Sequence, residues 1–215
     1  MSFDLAWEKH IYKKNLQINR YPFDWVVSSV VKYIDRKKIK KFKAVDLGCG
    51  TGNNLEFLAE IGFKEIIGID GSQSAINFAK QKFSKKKKIK LIQGDFSKVI
   101  FDKKDFFLDR GSITHNKKKI ITKLLKNIYK SLNKEGYFFS SLFSKRHHAY
   151  KNKKNEKYFM NEMNIVSGVD ASFFSEKEIK KLFSQFQIIS LVEETFDNKF
   201  LKKKKSMWNV ICKKK

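Results

Sequence analysis

The chain reads as an α/β protein, doubly wound around a mostly parallel, seven-stranded sheet with an antiparallel last strand. Three observations predict this. Short apolar runs alternate with amphipathic helical stretches between residues 42 and 143. A glycine-rich turn follows the first of those runs, and two apolar runs near the C-terminus are joined with no long helix between them. Strand–helix alternation implies βαβ units and a parallel sheet, whereas directly joined strands pair antiparallel.

Taken in order, Leu5, Trp7 and Ile11 form a short first helical stretch, punctuated by Tyr21 and Pro22. Pro22 suits an early helix position because its φ is preset, and Phe23, Val26, Val27, Val30, Val31 and Ile34 recur behind it at helical spacing. Charged residues 35–41 make the turn into strand one, residues 44–47. Leu55, Phe57, Leu58 and Ile61 supply the next helix. Residues 65–69 are strand two, Ala75, Ile76, Phe78 and Ala79 mark its helix, and 89–92 and 106–108 are strands three and four. Ile120, Ile121, Leu124, Leu125, Ile128 and Leu132 share one side of a long helix, which Glu135 and Gly136 turn into strand five, 137–143. Residues 144–174 break the alternation, and so long a loop in a compact domain is either functional or disordered. Ser175 with Glu178 is a capping box ahead of Ile179, Leu182 and Phe183. Strands at 187–192 and 207–212 close the chain, with lysines 202–205 in the loop between them.

A length of 215 residues fits one domain with a real core, and a hydrophobic content of 41% excludes wholesale disorder. Cys49 and Cys212 cannot make a disulfide framework, and nothing has the spacing of a metal site. The N-terminus lacks a basic-then-apolar leader, and no apolar run approaches the ~18 residues of a membrane span, so a cytoplasmic setting is expected. The charge of +25 needs decomposing: of 47 cationic residues only Arg20, Arg36, Arg110 and Arg146 are arginines, leaving 43 lysines. Arginine is the side chain that reads phosphate with a bidentate fork. Its scarcity, beside abundant Ile, Asn and Phe, makes the charge first a solvated surface written in AT-rich codons. A face that releases counterions from nucleic acid is the standing alternative.

Chemistry concentrates in Val45-Asp46-Leu47-Gly48-Cys49-Gly50-Thr51-Gly52-Asn53-Asn54, where three glycines sit just past a strand and just before a helix. Backbone there must turn sharply and approach a ligand closely. A nicotinamide-binding fingerprint wants its third glycine where Asn53 stands and lacks an acid where Asp46 is. Three more acids end successive strands: Asp70 in Ile69-Asp70-Gly71-Ser72, Asp95 ahead of Phe96, and Asp109 ahead of Arg110, Gly111 and Ser112. Ligands of open α/β sheets sit at those strand ends. One acid there is usually a turn residue; four in register point to a ligand.

These residues resemble the class I S-adenosylmethionine-dependent methyltransferases, whose sheet is Rossmann-like, over residues 41–143. The resemblance implies that Asp46, Gly48, Cys49, Gly50, Gly52 and Asn53 surround the methionine part of S-adenosyl-L-methionine. It implies that Asp70, with Gly71 and Ser72, binds the ribose, that Asp95 and Phe96 hold the adenine, and that Asp109 and Arg110 border the methionine amino group and the acceptor. It divides the single domain into an N-terminal helical cap (1–40), a cofactor-binding core (41–143), an acceptor-side loop (144–174) and a C-terminal helix with antiparallel strands (175–215). A narrower resemblance runs through Trp7-Glu8-Lys9, Tyr12, residues 20–24, Asp109-Arg110-Gly111-Ser112 and residues 138–144. It is to bacterial small-molecule methyltransferases of sugar and surface-polysaccharide clusters, and implies a small acceptor methylated at O or N.

Candidate bases are His115 after strand four, His147 or His148 beside Arg146 and Tyr150, and Asp109 itself. Adjacent histidines cannot both point inward. Trp7 and Tyr12 are read mainly as packing of an amphipathic helix, with a lid over the cofactor as the rival. Cys49 fits its loop as a small residue, and Cys212 reads as core. With Pro22 the only proline, the Pro-Pro signature of base-flipping amino-methylating enzymes and the Pro-Cys nucleophile of cytosine enzymes are both excluded. No paired acids indicate a catalytic metal. An RNA or protein-lysine acceptor remains the alternative, and the oligomeric state is not legible.

Overall fold

The computed structural model describes residues 5–15, 18–150, 157–159, 168–200 and 203–215. Nine strands are present among them: β1 Lys43–Leu47, β2 Glu65–Asp70, β3 Ile89–Gln93, β4 Lys104–Arg110, β5 Leu132–Phe143, β6 Lys157–Phe159, β7 Gly168–Asp170, β8 Phe186–Asn198 and β9 Lys203–Lys214. Seven form one sheet in the order β3-β2-β1-β4-β5-β9-β8, and β6 and β7 pair separately. Strands β1 to β5 pair in parallel, while β9 runs antiparallel to both neighbours. Only β9 is reversed, as the directly joined last strands require. This is a Rossmann-like sheet with an antiparallel last strand.

Apolar residues alternate onto both faces. One face packs α1 (Asp24–Tyr33), α3 (Asn53–Glu60) and α4 (Gln73–Lys82) through Val30, Leu58, Ile76, Phe106 and Phe139. The other packs α5 (Lys118–Ser131) and α6 (Glu176–Leu182) through Leu124, Ile128, Phe107, Phe138 and Phe183. Strand order reverses at β1, whose neighbours are β2 and β4. A crevice opens at the carboxyl end of such a switch point, where the helices diverge.

The structure redraws four local expectations. Pro22 lies outside the helix: α1 starts at Asp24 with Phe23 as N-cap, so the proline sets the approach rather than the first turn. The charged turn holds a four-residue helix, α2 (Arg36–Ile39), because the Asp35 carboxylate accepts from the Lys37 backbone N–H and caps it. Lysines 203–205 belong to strand β9 instead of a loop; β8 and β9 stay paired out to Asn198 and Lys203, and Asp197 faces Lys204 across the ladder at 3.9 Å. Within the long loop, β6 and β7 make a small hairpin, the remainder of 151–167 lying outside the described residues.

The capping box forms as read: Ser175 accepts from the Glu178 backbone N–H and Glu178 reaches back to the Ser175 N–H at 2.7 Å. Ser175→Ala should therefore lower unfolding stability by about 1 kcal/mol. Urea melts should show the lower midpoint with an unchanged slope.

Candidate active site

Three carboxylates are sunk into the carboxyl end of the sheet. Asp46 on β1, Asp70 closing β2 and Asp109 on β4 are 1%, 6% and 0% exposed. Parallel register sets Leu47 beside Asp109 and Leu47 beside Ile69, so the three acids belong to neighbouring strand ends. Burial raises all three, to about 8 for Asp46 and about 6 for Asp70 and Asp109. The charges of Asp109 and Asp70 push Asp46 further against a hydrogen bond with Asn54, and hydrogen bonds likewise oppose the rise at the other two.

Those hydrogen bonds differ in an informative way. Asp109 is saturated: Oδ1 accepts from the Ser112 and Ile113 N–H groups at 2.8 and 2.9 Å, and Oδ2 from the Ser140 hydroxyl at 2.7 Å. Asp70 accepts from the Gly50 N–H at 2.9 Å and the Ser72 N–H at 2.8 Å, tying the glycine turn to the start of α4. Asp46 Oδ2 is buried with no hydrogen-bond partner. A buried acceptor left so is costly, and a donor or cation from a ligand would relieve it.

The glycine turn is shaped by what presses on it. A Cβ at Gly48 would sit 2.0 Å from Ser112 Oγ, and φ is +71° there. A Cβ at Gly50 would meet the Tyr12 hydroxyl at 2.8 Å with φ at +54°. Only glycine supplies both the left-handed backbone and the clearance. Burial pushes the Cys49 thiol well up, so it is no nucleophile.

Trp7–Tyr12 forms a π-helical segment over this turn. Glu8 holds it down, accepting from the Ser72 and Ser74 hydroxyls and the Ser74 N–H. Burial raises the Glu8 carboxyl, yet those donors outweigh it and leave it below its ordinary value. Trp7 and Phe143 both meet the His115 ring edge-on, at 5.1 and 5.3 Å. Trp7, Tyr12, Gly50, Asp70, Phe96 and His115 all line the resulting pocket. The N-terminal segment is thus a lid as well as packing, since Ile11 is buried and Glu8 fastens the segment to the start of α4 while Trp7 and Tyr12 line the pocket. The sequence reading favoured packing because amphipathic spacing cannot say which surface the stripe covers.

Residues 44–136 match the family model described as "Methyltransferase domain". The YqeM protein of Bacillus subtilis (strain 168), whose name assigns it provisionally to the methyltransferases, is 31% identical over 118 residues, covering 53% of this chain and 47% of that protein. The match thus spans about half the length of that relative. Among solved structures, a SAM-dependent methyltransferase from Methanosarcina mazei superposes with a TM-score of 0.70 at 18% identity, covering 90% of this chain and 98% of its own. The 1,6-didemethyltoxoflavin-N1-methyltransferase of Burkholderia thailandensis, with S-adenosylhomocysteine bound, superposes with a TM-score of 0.62 at 15% identity, over 81% of this chain and 72% of its own. Residues 44–136 thus match a methyltransferase domain, set in a fold that SAM-dependent methyltransferases share.

Within that domain the expected cofactor residues divide. Gly48, Cys49, Gly50, Asn53, Asp70, Gly71, Phe96 and Arg110 line the pocket. Asp46 lies buried at the end of β1, Gly52 caps α3, and Ser72 caps α4 by accepting from the Ala75 N–H. Asp95 is taken up locally, its Oδ1 accepting from the Ser97 N–H and hydroxyl at 2.9 and 2.7 Å. The lining offers groups that S-adenosylmethionine would need, an acid at the β2 end and the Phe96 ring, while Asp46 with its orphaned oxygen is buried outside that lining.

The catalytic candidates divide more sharply. His115 lines the pocket. Asp109 is no base, since its carboxylate is consumed in holding the Ser112–Ile113 turn. His147 and His148 stack on each other at 4.6 Å, away from the pocket lining. His147 Nδ1 accepts from the Ala149 N–H and the ring packs on Phe143 and Phe173. His148 Nδ1 binds the Lys204 carbonyl at 2.8 Å, and Arg146 pairs with Glu193 at the surface. These residues staple the chain after β5 to β8, β9 and the returning segment. Sequence reasoning missed Asn19, Phe23, Thr51, Asn54, Gly111 and Ser112 as lining residues. Thr51, Asn54, Gly111, Ser112 and Phe23 stood inside the quoted motifs, but Asn19 carried no local signal.

Two expectations follow. A carboxyl raised on folding favours the native state when protonated, so its stabilisation is full below about pH 4 and lost as pH rises through the folded value. Without added cofactor, unfolding stability should fall between about pH 5 and 8, and Asp46→Asn should flatten the upper part, pH 6 to 8. Denaturant melts across that range check the sign. Glu8→Ala should free the lid, seen as steeper iodide quenching of tryptophan fluorescence with little change in unfolding midpoint.

Proposed function

We propose that the chain transfers the methyl group of S-adenosylmethionine to an O or N atom of a small molecule, a sugar or glycan precursor being the leading class. The observation that carries the reading is the buried, partnerless oxygen of Asp46 beneath a glycine turn that Asp70 ties to α4. Such a site is costly without a positively charged ligand. Bound there, S-adenosylmethionine supplies a methyl already activated on a sulfonium. The protein's part is alignment, dehydration and removal of a proton. Trp7 and Tyr12 exclude water, and Asp109 fixes the turn that presents Ser112 and Arg110. His115, met edge-on by Trp7 and Phe143, is the group placed to take a proton from the acceptor.

A small acceptor is supported by the lid, which leaves a pocket instead of an open groove. The Burkholderia neighbour, which holds a small molecule beside its S-adenosylhomocysteine, supports the same reading. The narrower likeness through residues 20–24, 109–112 and 138–144 supports the sugar class. Two buried free cysteines, Cys49 and Cys212, suit a reducing cytoplasm. Among the described residues no helix is long and apolar enough to cross a membrane, and no cluster of three or more His, Cys, Asp or Glu could hold a metal. The RNA or protein-lysine alternative rests on the +25 charge and on a faint likeness of Asp109-Arg110-Gly111-Ser112 to a motif of some protein-lysine enzymes.

Thermal shift decides the cofactor claim. At a hundredfold excess over Kd, S-adenosylhomocysteine should stabilise by about 2.7 kcal/mol, raising Tm by roughly 5–10 °C. No stabilisation by this product or by S-adenosylmethionine would refute the reading. Asp70→Ala should weaken S-adenosylhomocysteine by about 10- to 100-fold in calorimetry; unchanged affinity would remove Asp70 from the ribose site.

A further inference from the structure

The pocket holds a cation that the fold leaves without a counter-ion. Arg110 closes β4 and lines the lidded pocket close to His115 in the lining. Its guanidinium lies over the Phe23 ring at 4.6 Å, and Nη1 approaches Met207 Sδ at 3.4 Å. Its Nε is buried with no hydrogen-bond partner. Among the described residues no carboxylate comes within 4.0 Å of it. Glu194, Asp109 and Asp24 act on it only through their fields. Two of these are committed elsewhere: Asp109 to Ser112, Ile113 and Ser140, and Glu194 to Asn209 at 2.8 Å. Arg110 as a whole is half-buried, and a guanidinium withdrawn this far from water gains from an anionic partner, whose oxygen pair its planar fork matches. Here the Phe23 ring and the Met207 thioether contact the guanidinium, yet neither neutralises it.

We propose that Arg110 is the receptor for an anionic group of the methyl acceptor, so that the substrate carries a phosphate or carboxylate. The proposal rests on the methyltransferase reading and narrows its substrate class. Both signs line the pocket: Asp70 at the end of β2, and Arg110 at the end of β4, which His115 follows. A cationic donor and an anionic acceptor would then each meet the opposite sign. The surplus of lysines gives such an acceptor a long-range attraction as well.

The carboxylate of the cofactor's own methionine part has the same chemistry, so the test separates the two sources. Inorganic phosphate is titrated by calorimetry into the full chain saturated with S-adenosylhomocysteine, and into the chain saturated with 5′-methylthioadenosine, which lacks the amino-acid part. Saturable phosphate binding in both states, weakened on the order of tenfold or more by Arg110→Met and less by Arg110→Lys, is the expected result. Methionine keeps the stem that packs on Phe23 and Met207. Unfolding melts of both variants verify folding, and Lys retains the charge should Met fail to fold. Phosphate that binds beside 5′-methylthioadenosine but is excluded by S-adenosylhomocysteine would assign Arg110 to the cofactor carboxylate and overturn the proposal. Binding equal in Arg110→Met, or absent from the native chain, would overturn it too. Failure of S-adenosylhomocysteine to bind at all would instead sink the methyltransferase reading.

Discussion

Asp46 sits at the end of β1 with one carboxylate oxygen bonded to nothing, two further buried acids on the adjoining strands, and almost no contact with water. Carboxyls crowded into a low-dielectric site are expensive to ionise, and all three titrate above their ordinary range. The surrounding structure is organised so that this cost can be borne. Asp109 is quenched by backbone and serine donors, and Asp70 is spread over the glycine turn and the first turn of α4. Only Asp46 remains to be satisfied from outside. The glycine turn, the lid and the β4 turn all gather round that one deficit.

The same arrangement couples elements distant in sequence. Ser72 caps α4 and donates to Glu8, so the ribose-side turn and the lid share one residue. Ser112, held by Asp109, presses on Gly48, so the β4 turn sets the shape of the β1 turn. His115 continues that β4 turn and receives Trp7 from the lid and Phe143 from β5. Closing of the lid and orientation of the proposed base are therefore one packing event.

Strands, helices and the acid–glycine pattern were legible because each rests on local rules: period, capping and turn chemistry. Ser175 and Glu178 show this at its simplest, a capping box readable in four residues. The lysines at 203–205 show its limit. Their composition reads as a solvated turn, but cross-strand pairing with 196–198 extends the ladder through them. His147 and His148 mislead for a related reason: a titratable residue after β5 has the right address, while its ring direction is set by Phe143, Phe173 and Lys204.

By itself the sequence determined the sheet and set glycines and aspartates at its strand ends, because period and turn chemistry are local. It also narrowed the charge of +25 to a lysine surface with four arginines. Tertiary structure alone decided which acids are satisfied and which is left open, that residues 7–12 cover the pocket, and that Arg110 enters it without a counter-ion. Those outcomes depend on which side chains meet across long separations: Glu8 with Ser72, Asp109 with Ser140, Arg110 with Phe23 and Met207. No local pattern encodes such meetings, since each partner is equally compatible with solvent until the chain closes.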